Sequence, residues 1–188
     1  MAFYIEAGKD DAPQKIALRL RQYIFMQKKN WSHLVFLCIG SDRATGDCLG
    51  PYVGRELNRL HSGNFFVYGT LEHPVHALNL NSTCSQIYHE HPHALIIAID
   101  ASLGNKKHLG CITIHNGSLR PGAGVHKELP PVGDIHITGI VNTEGILSQL
   151  TLQTTRLSTV VSLAEAIVQG IVQLYSDNIN YTNAFTCW

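Results

Sequence analysis

Short, continuous apolar runs alternate along the chain with stretches whose apolar residues recur at helical spacing. The runs lie at residues 33–39, 65–69, 94–99, 109–114 and 135–141, and the helical stretches at residues 13–30, 49–60, 74–90, 145–152 and 158–175. A continuous apolar run is typical of a strand that is buried on both faces of a parallel sheet. The alternation therefore predicts an α/β fold of three layers, with a largely parallel central sheet and helices on both of its faces.

Two aspartates follow buried strands in this pattern. The run at residues 94–99 leads straight into Asp100, and Asp47 lies in the polar loop between the first strand and the next helix. Ligands of such sheets bind outside the carboxyl ends of the strands. We therefore expect the two carboxylates to face each other across one cleft.

A pair of carboxylates in one cleft supports several kinds of chemistry. Because like charges repel, one carboxyl group keeps its proton and can act as an acid, while the other acts as a base. The same pair can also hold a divalent metal ion. The structural alternative is that each aspartate caps a helix or closes a turn, and the sequence leaves this alternative open.

His136 is the candidate for a third group at such a site. Strand alternation places Asp134, His136 and Thr138 on one side of the predicted sheet. The imidazole of His136 can complete a divalent metal site with Asp47 and Asp100, or it can orient a carboxylate. The alternative is an ordinary strand histidine without a chemical role.

Two other features have both a chemical and a structural interpretation. Cys48 follows Asp47 at the start of a helix, where a thiolate is stabilised, so it is either a nucleophile or a packed cysteine. The histidine-rich segment at residues 89–93 lies at the amino end of a predicted strand, opposite the aspartates, and we interpret it as a polar connection. The chain contains no P-loop and no GxGxxG motif.

The composition fits one globular domain over residues 1–188, with a tail from about residue 178 that lacks a clear pattern. Hydrophobic residues make up 45% and charged residues 15% of the chain, and 14 basic side chains balance 14 acidic ones, which predicts no nucleic-acid or membrane partner. The five cysteines form no CxxC pair, which indicates free thiols in a reducing compartment. We find no apolar run of the ~20 residues that a membrane helix needs and no signal peptide, so we expect a cytoplasmic protein.

Several separated motifs resemble the YyaC-type sporulation proteins of endospore-forming bacteria. They are CIGSDRATGDCLGP at residues 38–51, IAIDAS at 97–102, RPGAGV at 120–125, GDIHITGIVN at 133–142 and LQTTRL at 152–157. The resemblance extends from about residue 12 to about residue 175. It implies a sporulation protein, and it suggests a homo-oligomer.

That family is similar in turn to the spore germination protease, an aspartate-dependent endopeptidase that degrades small acid-soluble spore proteins. The similar segments surround Asp47, Asp100 and the RPGAG loop. The resemblance implies that Asp47 and Asp100 are the catalytic residues and that the substrate is a peptide or protein, such as a small acid-soluble spore protein. The chain is much shorter than that protease, and Cys48 stands where the protease usually has alanine.

A more distant similarity links the chain to the hydrogenase maturation endopeptidases, which share this fold. Their metal-binding carboxylates follow the first strand and a later one, and a histidine stands in a His-x-x-Gly context. This resemblance implies a divalent metal ion held by Asp47, Asp100 and His136, the last in the segment HITG.

Three functions are compatible with these residues. In a peptidase, Asp47 and Asp100 share a proton, activate water and protonate the leaving amine, while Arg43, Gly122 and Gly124 bind the substrate backbone or stabilise the oxyanion. In a non-catalytic sporulation factor, the same fold acts by binding a partner. In the third case, the site hydrolyses or transfers groups on a small molecule, because such scaffolds host many chemistries.

Overall fold

A six-stranded sheet forms the centre of the protein. The computed structural model describes residues 3–60, 65–121, 129–145 and 147–179. Its strands are β1 (Tyr4–Glu6), β2 (His33–Cys38), β3 (Phe65–Tyr68), β4 (Ala94–Gly104), β5 (Cys111–Asn116) and β6 (Ile135–Thr143). The strand order is β1-β5-β6-β4-β2-β3, in which β3, β2, β4 and β6 are parallel neighbours and β5 is antiparallel to both β6 and β1. The predicted largely parallel sheet is thus confirmed.

Helices cover both faces of this sheet. They are α1 (Ala12–Phe25), α2 (Leu49–Arg59), α3 (Leu80–Glu90), α4 (Ser148–Gln153) and α5 (Leu157–Ile179). Along β4, Ile97 and Ile99 face the core that contains α1, α2 and α5, whereas Ile96 and Ala98 face the core that contains α3. Successive strand residues point to opposite faces, so the continuous apolar run in β4 fills two cores, as the three-layer prediction requires.

Helix α5 is the one helix in the described part of the chain that is long and apolar enough, by length and composition, to cross a membrane. The stretch is Leu157–Ser176, and half of it is buried inside the protein. Its fully buried side chains, including Leu163, Ile167 and Ile171, belong to the same core as α1 and α2. The sequence predicts this helix at residues 158–175, but polar residues such as Glu165 interrupt its apolar run, so it does not stand out there as a long apolar stretch. Its packing is that of a core helix.

Strand β4 is longer than its sequence pattern predicts. It continues past Asp100 to Gly104 because β6 pairs with it as far as Thr143, with a register shift between Ser102 and Leu103. Strand β2, on the other side, already ends at Cys38. Asp100 therefore lies inside β4 but beyond the end of β2, where the sheet opens on one side.

Helix α3 begins later than predicted, and two further elements differ. The helix starts at Leu80 rather than near residue 74, because residues 74–79 form a separate segment that hydrogen-bonds to the end of β2.

Strand β1 was not predicted, since three residues are too few to show a pattern. Helix α5 extends to Ile179, past the predicted start of the tail, and residues 180–188 lie outside the described part.

A chain of hydrogen bonds links the start of β2 and the connection before β4 to Tyr68 of β3. The Ser32 hydroxyl lies 2.8 Å from Nδ1 of His33, whose Nε2 lies 3.1 Å from Nδ1 of His91. Nε2 of His91 lies 3.0 Å from the hydroxyl of Tyr68, which donates to the Glu90 carboxylate. The predicted polar connection at residues 89–93 therefore includes a buried histidine, His91, which is only 9% exposed.

This chain of hydrogen bonds is expected to make the fold less stable at acidic pH. Because the Tyr68 hydroxyl donates to Glu90, it accepts from His91, and the other ring nitrogen of a neutral His91 can accept from His33. Burial, followed by the charges of His91 and His93, lowers the pKa of His33. A histidine with a lowered folded-state pKa stabilises the fold above its unfolded pKa of about 6.5, and this contribution is lost as the pH falls.

The measurement is urea unfolding at pH 7 and at pH 5 for the wild type, His33→Gln and the exposed control His89→Gln. We expect the wild type and His89→Gln to lose more stability on acidification than His33→Gln does. Equal losses in all three proteins would show that the hydrogen-bonded histidines do not contribute to the pH dependence.

Candidate active site

The loop after β2 folds back on itself and presents Asp47. The Ser41 N–H donates to the Asp47 carbonyl oxygen at 3.1 Å, and the Asp47 N–H donates to the Ala44 carbonyl oxygen at 3.0 Å. Gly40 has a φ of +141°, a conformation that favours glycine, and a side chain there would collide with the Asp47 carbonyl oxygen. The loop ends in the 3₁₀ turn Thr45–Cys48. These contacts fix the backbone of Asp47 next to the end of β2.

Asp100 is the buried member of the aspartate pair. Its side chain is 8% exposed, and its Oδ1 accepts the Ala101 N–H at 2.8 Å. Burial raises the pKa of Asp100 well above its ordinary range, and the charge of Asp47 raises it further, while the Ala101 N–H opposes the shift. Asp100 is therefore the carboxyl group that keeps a proton.

Asp47 is the more exposed member of the pair. Burial raises the pKa of its carboxyl group, but the Ser41 N–H and the charge of His76 both oppose the shift. The charge of Asp47 acts on Asp100, so the structure brings the two predicted catalytic residues into one electrostatically coupled site. The pair has the unequal environments that separate an acid from a base.

The structure gives no support to the capping roles that the sequence left open. The residue before α2 is Cys48, and no side chain caps that helix end. Asp100 lies within β4 rather than at a turn or a helix end. Neither aspartate is therefore explained as a helix cap.

His136 does not join the two aspartates. Its Nδ1 lies 2.8 Å from the Gly117 carbonyl oxygen, and its ring stacks on His115 at a centroid distance of 5.3 Å. It pairs across the sheet with Ala98, whereas Asp100 pairs with Thr138. Within residues 3–60, 65–121, 129–145 and 147–179, no group of three or more His, Cys, Asp or Glu side chains could hold a metal ion together. The donor set present does not fit the predicted metal site of Asp47, Asp100 and His136.

The predicted substrate-binding residues are only partly described. Arg43 is exposed, and its backbone N–H donates to the Ser41 hydroxyl at 3.2 Å in the loop that carries Asp47. Gly122 and Gly124 lie outside the described residues. Their predicted role in binding the substrate stays a prediction.

Cys48 is a packed thiol. It is buried, and its Sγ donates to the Thr45 carbonyl oxygen at 2.9 Å. Burial raises the pKa of the Cys48 thiol, and the charges of Asp47 and Asp42 raise it further. A thiol in this state is a poor nucleophile, so the structure favours the packed-cysteine interpretation.

His76 is a residue of the site that the sequence analysis missed. Val75, immediately before it, forms a parallel bridge with Ile39, and the Val75 carbonyl oxygen accepts the Gly40 N–H at 2.8 Å. The charge of His76 lowers the pKa of Asp47, which indicates that the imidazole lies near that carboxylate. The apolar residues that follow had suggested a helix from residue 74, and this helical pattern concealed the segment.

Other motif residues form the wall behind Asp47. A methyl group on Gly46 would lie 2.7 Å from Oγ1 of Thr155 and 2.9 Å from Cδ2 of Leu152, so the loop packs tightly on the end of α4. At the end of β6, the amide of Asn142 donates to the Thr151 carbonyl oxygen at 3.0 Å and to Oγ1 of Thr155 at 3.2 Å. The motifs at residues 133–142 and 152–157 thus support the loop.

Known proteins of similar sequence and structure were compared with this chain. The uncharacterized protein YyaC of Bacillus subtilis (strain 168) is 45% identical over 146 residues, which are 78% of this chain and 71% of YyaC. Among solved structures, the [NiFe] hydrogenase maturation protease HycI from Thermococcus kodakarensis KOD1 superposes with a TM-score of 0.40 at 14% identity, over 78% of this chain and 98% of HycI.

The family described as "Protein of unknown function (DUF1256)" matches residues 6–170. The matched region contains strands β2 to β6, both aspartates and His76. The resemblance to YyaC-type proteins is thus confirmed in sequence, and the chain belongs to the DUF1256 family.

Proposed function

We propose that this protein is an endopeptidase that hydrolyses peptide bonds with Asp47 and Asp100, in the manner of the spore germination protease. The observation that carries the proposal is the coupled carboxyl pair, in which Asp100 is buried and Asp47 is partly open to solvent. Burying a carboxyl group without an ion pair costs free energy. A carboxyl group kept in such a position is typical of an active site.

The two environments assign a role to each aspartate. The ionised Asp47 accepts a proton from water as the water oxygen attacks the peptide carbonyl carbon. Asp100 supplies its proton to the carbonyl oxygen as the tetrahedral intermediate forms. When the C–N bond breaks, the proton held by Asp47 passes to the leaving amine, and the intermediate's hydroxyl proton returns to Asp100. One peptide and one water give a carboxylic acid and an amine, and the pair regains its starting state.

The substrate and the setting follow from the family resemblance. Small acid-soluble spore proteins are the proposed protein substrates, which places the enzyme in the cytoplasm of a sporulating cell. A homo-oligomer is part of the same proposal. The exposed Arg43 in the loop that carries Asp47 would contact the substrate backbone.

The first experiment incubates the full-length protein with a purified small acid-soluble spore protein and with a mixed peptide library. Products are identified by mass spectrometry. We expect internal cleavage by the wild type and none by the Asp47→Asn/Asp100→Asn double variant, while the exposed-residue control Asp10→Asn cleaves normally.

Cleavage that survives in the double variant would contradict the proposal. Absence of cleavage by the wild type, together with specific capture of one spore protein, would instead favour the non-catalytic sporulation factor. Turnover of small amides with no turnover of peptides would favour the third function.

A further inference from the structure

The backbone around His76 ties this residue to the loop that carries Asp47. The Gly40 N–H binds the Val75 carbonyl oxygen at 2.8 Å, and the adjacent Ser41 N–H binds the Asp47 carbonyl oxygen at 3.1 Å. Two consecutive residues at the end of β2 thus hold the His76 segment and the Asp47 segment side by side. His76 is half-buried, in contrast to the exposed His73 in the same segment.

The imidazole of His76 is held in a defined orientation. Its Nδ1 accepts the Leu78 N–H at 3.3 Å, and its backbone N–H donates to Oδ1 of Asn79 at 2.8 Å. The Asn79 amide also donates to the Pro74 carbonyl oxygen at 3.0 Å, which closes the segment on itself. In the neutral ring the proton must therefore reside on Nε2. Leu78 itself is 80% exposed, so its backbone rather than its side chain contributes to this arrangement.

We propose that His76 is a third group of this active site, a positioning residue whose imidazole makes Asp47, rather than Asp100, the base of the pair. This inference rests on the proposed function and adds a residue to it. A ring whose Nε2–H is directed towards one carboxylate favours the ionised form of that carboxylate. This agrees with the lowering of the Asp47 pKa by His76, whereas in the described part of the chain the charged group that acts on Asp100 is Asp47 and not a cation.

Other charged groups surround this corner of the site. Asp42 shares the loop with Asp47, and Glu72 and His73 precede His76 in its own segment. From α2, Arg55 acts on Glu72. Asp42 raises the pKa of the neighbouring Cys48, whereas the Ser41 N–H and His76 both favour an ionised Asp47.

The test measures the titration of individual aspartates by carboxyl ¹³C NMR in the full-length protein. The variants are His76→Asn, whose Oδ1 can still accept the Leu78 N–H, and His76→Gln, which offers an N–H without a charge. His73→Asn is the matched control in the same segment. We expect the pKa of Asp47 to rise in His76→Asn, to rise less in His76→Gln, which keeps an N–H donor, and to stay unchanged in His73→Asn.

The same variants are examined for the pH dependence of kcat/KM wherever the wild type cleaves peptide. We expect the acidic limb of the profile to move to higher pH in His76→Asn, with the protein still folded. An Asp47 titration identical to that of the wild type in both His76 variants would overturn the inference, even if cleavage requires both aspartates. A raised pKa of Asp47 in a protein that cleaves nothing would support the placement of His76 and refute the peptidase.

Discussion

Replacing Asp100 with asparagine is expected to slow peptide cleavage strongly and, at the same time, to stabilise the fold. A positioned acid or base typically contributes a factor of about 10²–10⁴ to the rate, so cleavage should fall by that factor. Asparagine is close to aspartate in shape, and its Oδ1 can still accept the Ala101 N–H. The change therefore removes an ionisable proton without removing the hydrogen bond.

The gain in stability follows from the raised pKa of Asp100. Burial, with the charge of Asp47 as a second cause, raises this pKa well above its ordinary range. At pH 7 Asp100 ionises freely in the unfolded chain. In the folded chain the carboxyl group must either keep its proton or be buried as a charge, and both alternatives cost free energy. An acid with a raised folded-state pKa favours folding at low pH, and that contribution is lost as the pH rises through the folded-state pKa.

Thermal unfolding at pH 7 and near pH 4 tests this prediction. We expect Asp100→Asn to unfold about 2–4 °C above the wild type at pH 7, the shift that corresponds to roughly 1 kcal/mol in a protein of this size. The advantage should shrink near pH 4, where the unfolded wild type begins to bind the proton that the folded protein keeps on Asp100.

The matched substitution Asp134→Asn separates this effect from a general effect of replacing aspartate with asparagine. Asp134 accepts hydrogen bonds from Lys29 and, at 2.8 Å, from the Ile96 N–H at the start of β4. Its carboxylate has partners that Asp100 lacks, so Asp134→Asn is expected to lower the unfolding temperature. If Asp100→Asn were also destabilising at pH 7, Asp100 would be a structural residue and the proposed catalytic role would lose its main support.

The sheet could be predicted from the sequence because a strand that is buried on both faces appears as a continuous run of apolar residues. The apolar run in β4 fills both cores and ends at Asp100, whose carboxyl group is the one that is buried among the described residues. Asp47 was predictable for a related reason, since a polar loop after a parallel strand lies at the binding edge. The positions of the two aspartates relative to the strands were therefore enough to predict that they lie near each other.

The third group of the site required contacts between distant segments. His136 lies in the HITG segment of a predicted strand, which made it the candidate for the third group. Strand pairing instead places it opposite Ala98, where it hydrogen-bonds to Gly117. His76 lies in no predicted strand or motif, and the bridge between Ile39 and Val75 brings it to the end of β2. Such a bridge is a property of the folded chain, and no local pattern of residues encodes it.

Replacing Gly50 with alanine is expected to destabilise the fold by about 3 kcal/mol or more, although alanine is the better helix former. Gly50 is the second residue of α2, which begins directly after the Asp47 loop. A methyl group there would lie 2.0 Å from the carbonyl oxygen of Ile39 and 2.7 Å from its nitrogen. Both atoms belong to backbone that pairs with β4 and with Val75, so neither can move away without breaking hydrogen bonds.

Urea unfolding of Gly50→Ala beside Gly8→Ala measures this cost. A methyl group on Gly8 would meet nothing within 4 Å, so that control should stay within about 0.5 kcal/mol of the wild type. Wild-type stability in Gly50→Ala would mean that α2 does not approach the end of β2 this closely. The expected loss has a consequence for function, because the same contact fixes the start of α2 and the loop that carries Asp47. Any Gly50→Ala protein that still folds should therefore cleave peptide more slowly, even though both carboxylates are present.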